Sequence, residues 1–184
     1  MLITQADIEA RLGRVLTSNE QTTFDLVNQA NQAYAEEIIG SSVEEVSEST
    51  RYFDGGKQHL VIDPCTDISS VKLVDDDNDV SYTYLSRDYT QEPINNTLKT
   101  MLRHRSAGFM TGINNIQVNA KFSIYGDTNM LRIVKNALLE SLEAEINNTD
   151  NIKRQSIEGY SVEYATTTTK DAFKQIRGIF PYIL

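Results

Sequence analysis

Between Phe24 and Ile38, apolar residues recur three and four apart (Phe24, Val27, Ala30, Tyr34 and Ile38), and the run stops at Gly40. That spacing predicts an amphipathic helix of about five turns, with Ser18 as a cap at its start and a left-handed glycine at its end. Before it, Thr4 followed by Asp7 has the form of a helix cap, and Ile8, Leu12 and Val15 predict a short helix ending near Gly13. From about Ser47 the period falls to two. "RYFDGGKQHLVI" is two apolar-aromatic runs around Asp54-Gly55-Gly56, the pattern of a tight hairpin. "ISSVKLV" and "VSYTYL" flank the acidic turn Asp75 to Asp79 in the same manner. "NTLKTMLRH" and "NNIQVNAKFSI" add two more runs, separated by the glycine-containing loop Ser106 to Gly112.

Helical spacing returns after Gly126. Asp127 or Thr128 caps a stripe of Leu131, Val134, Leu138, Leu142 and Ile146, widened by Met130, Ala137 and Leu139, as far as Asn147-Asn148. "QSIEGYSVEY", residues 155 to 164, then reads as a lone extended segment. A last helix follows from Thr169 or Asp171 through Ala172, Phe173, Ile176 and Ile179 to Pro181.

The two long stripes each need an apolar partner, and packing them on one another is the economical arrangement. The expected fold class is therefore α+β: a helical bundle core with an inserted small antiparallel β-module of five or six strands. Residues 1–46 and 127–184 form the core and residues 47–126 the module.

Composition narrows the function classes. The 184 residues are 40% hydrophobic, enough for one medium domain with a real core. No stretch approaches the roughly 18 uninterrupted apolar residues of a membrane span, and the start, MLITQADIEARLGRV, is not a basic segment leading into an apolar run. The chain is expected to be soluble and intracellular, with no membrane partner. It has 26 acidic and 17 basic residues, net −9, and repels a polyanion unless its Lys and Arg cluster. Residues 1–46 are the most acidic part, with 8 acids against 2 bases.

Candidate chemistry is sparse. Asp75, Asp77 and Asp79 match the first ligand positions of a calcium loop, but Val80 stands where that loop needs Gly and Ser86 where it needs Glu. Cys65 is the single cysteine, and His59 and His104 are the two histidines; no nucleophile or zinc motif surrounds them. A buried thiol and two surface imidazoles are expected, with no catalytic residue, no metal and no cofactor. Arg103-His104-Arg105 is the densest basic spot and could touch phosphate, or be an exposed strand end. The chain ends "GIFPYIL", with five large apolar or aromatic residues in its last six. Such a tail either closes its own core or is held by another chain. Pro181 falls where the stripe of Phe173, Ile176 and Ile179 is complete, so Phe180, Pro181, Tyr182, Ile183 and Leu184 are taken as a segment that docks on another chain.

The order of these segments resembles the head-tail connector, or adaptor, family of tailed bacteriophages, also called head-completion proteins. The likeness starts with ITQADIEARLG and NEQTTFDLVNQANQAYAEEIIG, and continues through RYFDGGKQHLVIDP, ISSVKLVDDDNDV and the Arg87-Asp88-Tyr89 step. It ends with NIQVNAKFSIYG leading into the long helix and with RQSIEGYSVEY before the last one. Two positions depart from the family's pattern: Phe122-Ser123-Ile124-Tyr125-Gly126 stands for Phe-Gly-Tyr, and Asp127-Thr128 for a Pro before the long helix.

The resemblance implies a structural protein of the virion neck, assembled in the host cytoplasm and located at the head-tail junction. It implies a homo-oligomeric ring, commonly of twelve copies, that binds the portal protein, extends the DNA channel and offers a docking surface to the tail or to a stopper or other neck protein. DNA would pass an acidic channel without sequence-specific binding. Under the resemblance, the chain on which Phe180 to Leu184 dock is the portal or a neighbouring subunit. The segment with Ile157, Tyr160, Val162 and Tyr164 would be an extended arm that pairs with its own strands or a neighbouring subunit. The competing classes are a metal-dependent hydrolase built on Asp75 to Asp79, and a monomeric module that binds a peptide at a sheet edge.

Overall fold

The computed structural model describes residues 2–149 together with Phe173, Lys174 and Ile176. Its elements are α1 (Gln5–Leu12), α2 (Ser18–Ile39), β1 (Ser49–Phe53), β2 (His59–Val74), β3 (Val80–Tyr84), β4 (Tyr89–Glu92), β5 (Lys99–His104), β6 (Ile116–Lys121) and α3 (Thr128–Thr149). The described residues fall into two compact units, one of residues up to 38 together with 129–149, Phe173, Lys174 and Ile176, the other of residues 39–128. Among the described residues no helix is long and apolar enough to cross a membrane.

Local chemistry sets the helix ends. Thr4 Oγ1 accepts from Asp7 N–H while Asp7 Oδ2 accepts from Thr4 N–H at 2.9 Å, and Gly13 closes α1 at φ 69°. The start of α2 is held one residue earlier than expected. Glu20 Oε2 accepts from Thr17 N–H at 2.7 Å, and the Arg14 guanidinium grips the same carboxylate with two bonds. This pairing holds the Glu20 carboxyl down at about 2, with Arg14 as the largest cause and the Thr17 N–H next. Gly40, at φ 73°, ends α2.

The buried stripe of α2 is rotated from the expected one. Phe24, Asn28, Asn31 and Ala35 face inward, whereas Ala30 is exposed and Leu26 is 71% exposed. Two asparagines line this face because each has a partner: Asn28 Nδ2 donates to the Ile3 carbonyl at 3.0 Å and Asn31 Nδ2 to Ser141 Oγ at 2.9 Å. On α3 the expected stripe is present, with Val134, Leu138, Leu142 and Ile146 almost fully buried. Arg11 pairs with Glu143 at 2.6 Å and Lys135 with Asp7 at 2.8 Å. Phe173 is buried and meets Tyr34 edge to face at 5.0 Å.

The expected helical bundle core with a small β-module is not what the chain forms. The described residues form three helices and a six-stranded antiparallel sheet that has a core of its own, so the strands are no small insertion in a helical bundle. The reason lies in β2. Rather than two short strands broken at Pro64, residues 59–74 form one bent strand whose first half pairs with β5 and whose second half pairs with β6 and β3. The register shifts on either side of Cys65 and Thr66, and Asp67 adopts φ 48°. Pro64, which has no N–H to give, falls inside the first shift and so interrupts no ladder. The bend brings Leu60, Leu102, Val71, Val118 and Phe122 into one cluster, each burial worth about 1.5–3 kcal/mol.

The sheet order is β1-β6-β2-β5-β4, with β3 on β2. Only one of the two expected hairpins exists. β2 and β3 pair around the acidic turn, but β1 pairs with β6 and not with β2.

Candidate functional site

Asp54-Gly55-Gly56 is a surface of contact between two loops. Gly55 N–H donates to the Gly112 carbonyl at 2.9 Å and Gly56 N–H to the Phe109 carbonyl at 3.0 Å, while Asp54 Oδ1 accepts from Asn114 N–H at 2.8 Å. Asn115 bonds both Gly55 N–H and the Met110 carbonyl, and a Cβ on Gly55 would collide with that carbonyl oxygen. These ties draw residues 54–58 and 106–115 into one laced tip, on which Met110 is 61% and Ile113 81% exposed. The glycines were legible as turn formers; that they admit a second backbone was not.

The basic spot Arg103-His104-Arg105 is divided by the strand's alternation. His104 turns inward, half-buried, with its ring 5.8 Å from Tyr84 and 5.3 Å from Phe109, and its Nδ1 accepts from Ser106 N–H at 3.2 Å. Arg103 and Arg105 face outward. His59, Arg103 and Thr90 are cross-strand neighbours on β2, β5 and β4, so the outer face of this half-sheet carries a row of His, Arg and hydroxyl. Arg105 Nε donates to Thr90 Oγ1 at 3.2 Å, and Arg103 has Glu92 at 3.9 Å. Gln58, Thr90, Glu92, Ile94, Arg103 and Arg105 line an open groove of about 340 Å³ here. Period-two counting along "LRHR" separates the two arginines from the histidine, a signal the sequence does contain.

The other candidate residues do not converge. The Asp75 carboxylate caps its own turn, accepting from Asp77 N–H at 3.1 Å and Asp79 N–H at 2.9 Å. Among the described residues no group of three His, Cys, Asp or Glu could hold a metal ion. Cys65 is fully buried, and its thiol is pushed up to about 12, first by burial and then by the Asp63 charge, so it is not a thiolate near neutral pH. Its register partner is Lys99, whereas His59 stands opposite Arg103, which puts roughly 13 Å of strand between the two positions.

Arg51, the head of the "RYF" run, organises the core edge. Its Nη1 donates to the Gly40 carbonyl at 2.5 Å and to Asp63 Oδ2 at 2.6 Å, and the guanidinium lies 4.3 Å from the centre of the Phe122 ring. The expected docking tail, Phe180, Pro181, Tyr182, Ile183 and Leu184, and the expected arm, Ile157, Tyr160, Val162 and Tyr164, lie outside the described residues. In comparisons with known proteins, no family model matches the chain and no curated protein matches it.

Proposed function

We propose that the chain is a ring-forming adaptor of a tailed-phage neck, which attaches to the portal, lengthens the DNA channel and offers a docking surface to the tail or the next neck protein. The observation that carries this reading is the order of segments: a capped short helix, a long helix, the Arg-aromatic strand with its glycine turn, and a strand run leading straight into a second long helix. Two features support a surface made for partners. The laced tip holds Met110 and Ile113 outward on a fixed backbone, and the net charge of −9 favours passage of DNA over adhesion to it. In this reading Phe180 to Leu184 dock into the portal or a neighbouring copy, and the segment from Ile157 to Tyr164 reaches between subunits. The protein then belongs to the virion.

The test is a pull-down with portal-bearing heads, paired with light scattering of the isolated chain. Retention on heads by the full chain, and its loss on truncation after Gly178 with the fold kept, is the expected result. A full chain that ignores portal-bearing heads refutes the reading.

A further inference from the structure

We infer that the Arg103/Arg105 groove takes a carboxylate-bearing segment of a second copy of this chain, the exposed acidic turn Asp75 to Asp79, in a head-to-tail contact. The inference rests on the ring reading above and specifies how copies meet.

The groove has the chemistry of a carboxylate acceptor. Two guanidinium groups and the Thr90 hydroxyl project from one face, with Gln58 at the rim, and Glu92 is the one acid among the lining residues. Three other bases of this unit have closer partners, Arg51 with Asp63 at 2.6 Å, Lys121 with Asp67 at 3.0 Å and Lys99 Nζ donating to the Pro93 carbonyl at 2.8 Å, whereas Arg87 has Asp88 only at 4.0 Å but does not line the groove. Arg103 has its carboxylate only at 3.9 Å and Arg105 has a neutral hydroxyl, so both retain donors for an incoming anion.

The occupant follows from charge and shape. A chain of net −9 repels its own copies unless their interface sets base against acid. The β2-β3 turn is the densest acidic feature of the sheet unit, and Asp76, Asp77 and Asp79 are exposed on it. It is also pre-shaped. Asp75 N–H bonds the Asp79 carbonyl at 3.1 Å, Asn78 N–H bonds the Asp75 carbonyl at 3.0 Å, and Asn78 takes φ 65°, so little order remains to be imposed on docking.

Turn and groove lie at the two ends of β3. The turn leads into Val80, whereas the segment after Tyr84 returns at Asp88, whose carbonyl accepts from Arg105 N–H at 2.8 Å. About 17 Å of strand separates them. Donor and acceptor are thus different patches, and a contact that joins different patches repeats from copy to copy and closes as a ring when its rotation permits.

The experiment uses two full-length variants, R103E/R105E and D76N/D77N/D79N, all changes on exposed side chains. Self-association is followed by sedimentation velocity at low salt, up to millimolar protein. The wild-type chain should associate, more weakly as salt rises. Each variant alone should lose at least about tenfold in affinity, which is about 1.4 kcal/mol. Their equimolar mixture should form a one-to-one dimer and nothing longer, since one contributes an intact turn and the other an intact groove. A wild-type chain that stays monomeric, or variants that associate as it does, overturns the contact. So does a groove variant that loses affinity for duplex DNA while its self-association is unchanged. Binding of the wild-type chain to portal-bearing heads is scored separately: no binding to heads with the mixing result intact refutes the neck reading alone, and binding to heads with the mixing result absent refutes the contact alone.

Discussion

Replacing Arg51 by Met removes a cation while keeping most of the apolar stem, and its cost can be worked from three contacts. The bond from the guanidinium to the Gly40 carbonyl is charge-assisted and is worth about 1.5–3 kcal/mol. The stacking on Phe122 adds about 0.5–1 kcal/mol at this partly exposed site. The ion pair with Asp63 is discounted for screening, since the two side chains are 36% and 30% exposed, and contributes about 0.5 kcal/mol. The expected loss for Arg51→Met is therefore about 2.5–4.5 kcal/mol. Arg51→Lys keeps a point charge but neither the fork nor the planar face, and should lose about 1–2 kcal/mol. Urea titration followed by tyrosine fluorescence and circular dichroism measures both, as midpoint shifts of about 1–2 M for Met and about 0.5–1 M for Lys at a slope of about 2 kcal/mol/M. A cycle with Phe122→Leu isolates the ring contact, with a coupling of about 0.5–1 kcal/mol. If Lys and Arg prove equivalent at position 51, or the cycle shows no coupling, the guanidinium is a surface charge and the reasoning fails.

Glu20 lies below its ordinary 4.5 in the folded chain, at about 2, so its stabilisation is complete above pH 4.5 and fades as pH falls through about 2. The stability gap between wild type and Glu20→Gln, measured by urea at a series of pH values, should narrow over that window; a constant gap would exclude the ionised pair as its source. Cys65 should resist an aromatic disulfide reagent at pH 8 in the native chain and react fully in urea, because burial holds the thiol protonated. Gly55→Ala should cost about 1–3 kcal/mol by forcing the Met110 carbonyl away, with amide exchange rising across residues 109–115 and not in α1; unchanged exchange there would show that the two loops are not tied through Gly55.

Features governed by neighbours a few residues away were legible in the sequence. The Thr4/Asp7 cap, the stop at Gly13 and Gly40, the α3 stripe from Val134 to Ile146 and the β2-β3 turn all depend on spacing, and spacing is printed in the chain. The inward face of α2 was misread because Asn28 and Asn31 count as polar in any pattern. They are buried because Ile3 and Ser141, 25 residues before and 110 after, supply their hydrogen bonds. The basic spot was legible as composition but not as a site, since its arginines gain their neighbours from β4 and the β1-β2 connection.

What the sequence determined alone is the cap of α1 at Thr4, the helix stops at Gly13 and Gly40, the change of period near Ser47 and Gly126, the acidity, and the want of a nucleophile motif around Cys65, His59 and His104. What the tertiary structure decided is partnership. β1 leaves its sequence neighbour for β6, Gly55 and Gly56 serve a second loop instead of a hairpin, and one bent β2 serves β5, β6 and β3. Pairing over tens of residues is fixed by which apolar faces close one core, and period two marks a strand's faces without saying which strand lies beside it.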